Sequence, residues 1–231
     1  MTKLERLFVW CGGVMFALSL AVCAYVYIVV WASPAAGAGG STPLSAAGID
    51  ALLFAVFALH HSLFARDPVK RRIARIVPDH LLRSLYVWTS SALLLGVLAL
   101  WQPVGGDVYH VTGWPAFVHA AVQLCGVILI ARSVTRISAL GLAGIEPAVP
   151  GDALQVGGPY RWVRHPIYLG WVMVLFAPAH MTADRLAFAA ISTTYLLLAI
   201  PWEERSLLRA LGEPYARYQR VVRWRVVPYV Y

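Results

Sequence analysis

The sequence predicts an all-α fold, an integral membrane helical bundle of about six transmembrane helices with its N- and C-termini in the cytoplasm. Three observations carry that prediction. Of 231 residues, 60% are hydrophobic and only 13% are charged, with a mean hydropathy of +0.67; a soluble domain is about one-quarter charged. Apolar runs approaching the roughly 20 residues that a bilayer core requires recur along the chain. The 19 Lys and Arg residues are concentrated in alternate connecting segments, the pattern by which positive loops stay in the cytoplasm. A net charge of +8 and a pI near 9.7 would suggest nucleic acid as the partner of a soluble domain. Here the charges sit where topology wants them, and no nucleic-acid partner is expected.

The first run, Leu7 to Trp31, is uncharged. Small residues follow it, as at a signal-peptidase site, but it is longer than the ~7–15 residues of a signal core and reads as a retained helix. The second, Ala46 to Phe64, carries Asp50 near one end and His60-His61 near the other. Leu85 to Trp101, Pro115 to Ala131, Ile167 to Ala183 and Leu186 to Trp202 complete the set, the last two reading as a tight helical hairpin. Basic residues lie at Lys3 and Arg6, from Arg66 to Arg83, from Arg132 to Arg164 and from Arg205 to Arg225. With six spans these segments share one side, and only Arg185 falls on the other. In the 66–83 segment Val69, Ile73 and Ile76 recur at helical spacing, which predicts a short amphipathic helix on an anionic leaflet. Gly37 to Ser45 is a small-residue outer loop, and 137–156 is long and rich in Gly and Pro, as binding segments and lids tend to be. Cys11, Cys23 and Cys125 lie in apolar runs without a ligand spacing, so they read as buried small hydrophobes; neither a disulfide framework nor a metal site is expected.

Residues 157–170 read G-G-P-Y-R-W-V-R-H-P-I-Y-L-G. Proline suits the first helical turn, so Pro166 should start a helix with His165 just before it. A helix N-terminus beside Arg164 and His165 suits a carboxylate or phosphate. Topology alone accounts for Arg161 and Arg164 but not for Tyr160, His165 and Tyr168 at the same place. Glu203 and Glu204 end the sixth run, where acidic residues are costly. No basic residue stands three or four positions from either, so a helical ion pair is not available to them; partners lie across the hairpin at Arg164 and His165, unless water solvates the pair. Together these groups can bridge a ligand with a carboxylate, an ammonium and ribose hydroxyls, an amino-acid-bearing nucleoside. His60, His61 and Ser62 near the inner end of the second run admit three readings: structural hydrogen bonding, a base, or a metal ligand. Adjacent residues face different sides of a helix, so at most one of the two histidines should look straight into the bundle.

G-P-Y-R-W-V-R-H-P-I-Y-L-G, E-E-R-S-L-L-R-A-L-G-E-P-Y-A-R-Y from 203 to 218, and Val227-Pro228 resemble the C-terminal half of the isoprenylcysteine carboxyl methyltransferase superfamily, which includes phospholipid N-methyltransferases and bacterial thiol methyltransferases. The resemblance divides the chain into transmembrane helices and a basic loop over 1–136 and a cofactor-binding half over 137–231. It implies S-adenosylmethionine, leaving as S-adenosylhomocysteine, bound by the backbone around Leu154 and Gln155 and by Tyr160, His165, Tyr168, Glu203 and Glu204; Arg164 and Pro166 at the same helix entry are expected to join them, with Arg164 and His165 on the methionyl carboxylate. Upstream, A-L-H-H-S-L-F-A-R, P-D-H-L-L-R-S-L-Y-V and W-Q-P look most like the bacterial methanethiol S-methyltransferases, although those carry Gln-His-Ser where this chain has His60-His61-Ser62. Ala199 stands where the eukaryotic carboxyl methyltransferases have an arginine for the acceptor.

The expected reaction is methylation of a small or lipophilic thiol, at the cytoplasmic side of a bacterial inner membrane. A phospholipid amine and a prenylcysteine carboxylate are the alternative acceptors, and a non-enzymatic channel or binding protein is the alternative class. A thiol reacts as its thiolate, for which His61 and Arg83 are the expected base and positive field. Membrane lipids are expected neighbours, and no obligate protein partner is predicted.

Overall fold

The computed structural model describes residues 1–33, 42–64, 66–146 and 154–231. Much of the Gly37–Ser45 loop and part of 137–156 lie outside them. The helices are α1 (Lys3–Ile28), α2 (Pro43–Phe64), α3 (Asp67–Ile73), α4 (Asp79–Ala99), α5 (Trp114–Val134), α6 (Ala139–Leu142), α7 (Pro166–Phe176), α8 (Ala183–Leu211) and α9 (Glu213–Val221). Two short strands, β1 (Asp107–His110) and β2 (His180–Thr182), pair with one another. Of the helices, α1, α2, α4, α5 and α8 are long and apolar enough to cross a membrane.

The fifth predicted run is shorter than expected. Its helix, α7, has 11 residues, about 16 Å at 1.5 Å per residue. The chain leaves the helix at Ala177-Pro178, where proline supplies no N–H, and turns into β2 in place of the tight hairpin. The sixth run is longer than expected: α8 continues for 29 residues through Pro201. The amphipathic helix expected over Val69, Ile73 and Ile76 is cut to the seven residues of α3, because the chain turns before Pro78, and Ile76 is exposed. Of the cysteines only Cys23 is buried; Cys11 and Cys125 are exposed on apolar helices.

The chain forms two compact units that interleave in sequence; the expected halves 1–136 and 137–231 are a division by function and not by packing. The first comprises Met1–Gly106, Ala139–Pro150 and Thr182–Asp184. Within it α1 packs on α4 where Gly12 leaves room for Trp88: a Cβ there would meet the indole nitrogen at 2.9 Å. That nitrogen donates instead to the Phe8 carbonyl at 3.0 Å. The buried Asp184 carboxylate gathers the Trp101 indole and the Val104 amide, both at 2.9 Å. Asp50 accepts the Gln102 amide at 2.8 Å. These bonds hold the W-Q-P turn, since a carboxylate away from water must collect donors.

The second unit comprises Asp107–Ser138, Gly151–Met181 and Arg185–Tyr231. Its principal helix pair is α5 on α7. Gly126 and Gly170 make the pair possible: a Cβ on either would stand 2.8 or 2.7 Å from the other's carbonyl oxygen. Small residues permit this close approach in apolar surroundings, where dispersion replaces the hydrophobic effect as the driving force. The other side of α5 carries Trp114 and Phe117, each 77% exposed. α8 meets α7 through side chains, with Trp171 against Phe188 and Ser192 and Tyr168 against Glu203.

Candidate active site

The segment that leads into α7 is shaped by its small and cyclic residues. Gly158 has φ +58, a conformation that disfavours side chains. Pro159 is buried in the 3-10 turn Gly158–Arg161 that follows. The Arg136 guanidinium lies beside the turn, its Nε 3.4 Å from where a Cβ on Gly158 would stand. Pro166 is the first residue of α7, as expected, and His165 directly precedes it.

The expected convergence of Arg164 and His165 on the glutamates is present. Arg164 Nε donates to Glu204 Oε1 at 2.6 Å, and the His165 Nε2 stands 3.4 Å from the same oxygen. The second Glu204 oxygen accepts from Arg225 Nε at 3.2 Å. The Arg164 and Glu204 side chains are only 7% and 5% exposed. A buried carboxylate requires such partners, and Glu204 has them without any ligand. Glu203, one residue earlier, is 43% exposed. It accepts the Tyr168 hydroxyl at 2.7 Å, while the Tyr168 and His165 rings stack at 5.2 Å.

The tail after α9 supplies further partners. The Arg164 guanidinium also donates to the Val222 and Arg223 carbonyls at 2.7 and 2.9 Å. The backbone amides of Arg164 and His165, ahead of the helix, donate to the Trp224 and Arg225 carbonyls at 2.9 and 2.8 Å. The tail after α9 therefore straps the α7 N-terminus. Arg225 and the carbonyls of Val222, Arg223 and Trp224 were missed in the sequence. The arginines of the tail were visible there, but topology sufficed to explain them, and backbone acceptors leave no signature in residue type.

Leu154 and Tyr160 pack against the buried cluster of Tyr215, Tyr218 and Val222. Gln155 is half-buried beside Leu154. The Tyr218 hydroxyl donates to the Tyr160 carbonyl at 2.7 Å. Burial, and then the Glu203 carboxylate, push the Tyr160 hydroxyl up to about 12, so it stays protonated at neutral pH.

The remaining candidates belong to the first unit. The Tyr86 hydroxyl lies 2.6 Å from His61 Nδ1, and Thr89 Oγ1 lies 2.9 Å from His60 Nε2. Both histidines thus reach α4, where at most one was expected to face inward. Arg83 precedes Tyr86 by three residues and is half-buried. In the second unit, His119 Nδ1 lies 3.0 Å from the Ala177 carbonyl.

The isoprenylcysteine carboxyl methyltransferase (ICMT) family matches residues 142–209, a stretch that contains the turn, α7 and both glutamates. The chain is 36% identical over 197 residues to a methanethiol S-methyltransferase of Pseudomonas deceptionensis, covering 80% of this chain and 74% of the relative. It is 33% identical over 182 residues to methanethiol S-methyltransferase 2 of Bradyrhizobium diazoefficiens, covering 75% and 70%. To a methanethiol S-methyltransferase of Pseudomonas sp. (strain GM41(2012)) it is 30% identical over 241 residues, covering 94% and 92%. No solved structure matches the chain. A likeness extending over nearly the full length of such a relative, together with the family match across the strapped glutamate site, shows that the chain belongs to the isoprenylcysteine carboxyl methyltransferase family and is a membrane methyltransferase.

Proposed function

We propose that this protein methylates a small thiol, with methanethiol as the leading acceptor and S-adenosylmethionine as donor. The single observation that carries the acceptor is the near full-length likeness to a relative named for methanethiol. Ala199 agrees with it, because it offers no cation for a prenylcysteine carboxylate.

The exposed groups fit the donor's chemistry. Glu203 is the accessible carboxylate and is oriented by Tyr168, so it takes the ammonium or the ribose hydroxyls. Arg136, beside Gly157 and Gly158, has no carboxylate partner among the described residues and takes the carboxylate of the methionyl arm. Arg164 and Glu204 act as positioning residues, holding the His165-Pro166 turn against the tail, while His165 and Tyr168 present a stacked wall. Leu154 and Tyr160 supply the apolar side, and the backbone around Leu154 and Gln155 its polar contacts. S-adenosylmethionine brings a methyl group already activated on a sulfonium. The chain's work is to hold the two reactants in line and exclude water.

A thiol must lose its proton to react. His61, with its ring fixed by Tyr86, is the proposed acceptor of that proton, and Arg83 the proposed stabiliser of the thiolate; both enter on their chemistry alone. The functional division is kept at 136/137. The basic segments share one side of the membrane only if α7 and its turn count as a sixth passage, so we place both termini and the active site in the cytoplasm of a bacterial inner membrane. A C-terminal reporter fusion active only in the periplasm would overturn that topology.

Purified protein with labelled S-adenosylmethionine should convert methanethiol to dimethyl sulfide and leave phosphatidylethanolamine and prenylcysteine analogues unlabelled. Labelling of either lipid acceptor in preference to the thiol would refute the acceptor assignment.

A further inference from the structure

The turn before α7 and the tail after α9 have two faces, and only one of them is occupied by the glutamate site. Arg164 and Arg225 turn inward to Glu204. Arg161 and Arg223, which alternate with them in the sequence, are exposed, and among the described residues neither guanidinium has a carboxylate partner. They line a cavity of about 390 Å³ together with Trp162, Val221, Trp224 and Tyr229. None of these six is a proposed cofactor residue.

The rim of this cavity is apolar and uncovered: Trp162 is 70%, Val221 81% and Tyr229 86% exposed. Trp224 and Tyr229 face one another with ring centroids 5.2 Å apart. In water such a rim would be unfavourable. At a bilayer boundary it is suited on both counts, since indole and phenol rings settle at headgroup depth and guanidinium groups reach the phosphates there. Arginine also binds phosphate through two parallel N–H donors. Two arginines in a lining that has no acidic side chain among the described residues favour a headgroup without a compensating ammonium.

We propose that this cavity binds the headgroup phosphate of an anionic phospholipid, between Arg161 and Arg223, with Trp162, Trp224 and Tyr229 against the glycerol and upper acyl chains. Bound lipid would brace the outer face of the segment that straps α7. The site is independent of the methyl acceptor, and its test reads lipid binding rather than methyl transfer.

Full-length protein in mild detergent is mixed with phosphatidylglycerol or phosphatidylcholine, and retained lipid is counted by native mass spectrometry. Wild type should retain phosphatidylglycerol preferentially. Arg161→Ala with Arg223→Ala should weaken that retention about tenfold. Arg209→Ala with Arg217→Ala, which removes the same charge from other exposed positions, should leave it unchanged. Trp162→Ala with Tyr229→Ala, tested in parallel, should weaken retention without a change in charge and decides the matter if the arginine variant does not fold. Equal retention of the two lipids by wild type, equal loss in both arginine pairs, or unchanged retention in the folded Arg161/Arg223 variant would overturn the site. So would binding of free glycerol phosphate as tight as that of the lipid.

Discussion

Glu203-Glu204 on α8 and His60-His61 on α2 are both adjacent ionisable pairs on apolar helices, and they are partnered by different means. Glu204 gathers Arg164, His165 and Arg225, and tail carbonyls complete the Arg164 site. The histidines meet the hydroxyls of Tyr86 and Thr89, and His60 Nδ1 is buried without a hydrogen-bond partner among the described residues. A fixed charge removed from water needs opposite charge, whereas an imidazole can be neutral and settle for one weak partner. The glutamate pair therefore gathers charged partners, and the histidine pair gathers hydroxyls and the rings of Phe57, Phe64 and Tyr86. Within the glutamate pair there is a second division: the Glu204 side chain is 5% exposed and that of Glu203 is 43% exposed.

The largest expected effect comes from breaking the charged knot. Glu204→Ala leaves the buried Arg164 without its anion and should destabilise the protein by about 3 kcal/mol, read as a lowered melting temperature in detergent. Gly126→Ala or Gly170→Ala forces α5 and α7 apart against backbone carbonyls. Each should cost about 1–3 kcal/mol by the same measurement, which separates a packing defect from an electrostatic one. His61→Ala should cost only about 0.6 kcal/mol, the average for an interhelical polar contact, while lowering kcat in the thiol assay. A fall in melting temperature as large as that of Glu204→Ala would make His61 structural.

The last effect concerns Tyr160 and is absent at neutral pH. Its hydroxyl, normally near 10, is raised to about 12 in the fold, so the protonated form is favoured by folding. That stability is complete below pH 10 and is lost as pH rises from 10 towards 12. Thermal unfolding across this range should show the decline, and Tyr160→Phe should flatten part of it. A Tyr160→Phe profile identical to wild type would remove Tyr160 from the explanation.

The helices and the meeting of Arg164 and His165 with the glutamates were legible in the sequence, because apolar runs declare spans and an acidic pair without helical partners must find others. The length of α7 was not legible. Ala177 is as apolar as the run before it, and the effect of Pro178 depends on the strand that follows. Nor could the sequence divide labour between Glu203 and Glu204, since identical neighbours are told apart only by which of them the tail buries. The clasp by the Val222, Arg223 and Trp224 carbonyls is backbone chemistry, open to any residue type. The family signature drew notice to the same segments without assigning these contacts.

The division between the two glutamates is tested most directly by calorimetric titration of S-adenosylhomocysteine into detergent-purified wild type and Glu203→Gln, each with its melting temperature. Wild type should bind, and Glu203→Gln should bind about tenfold more weakly at an unchanged melting temperature. Equal affinity in the two proteins, or no binding to wild type, would contradict the assignment of Glu203 to the cofactor.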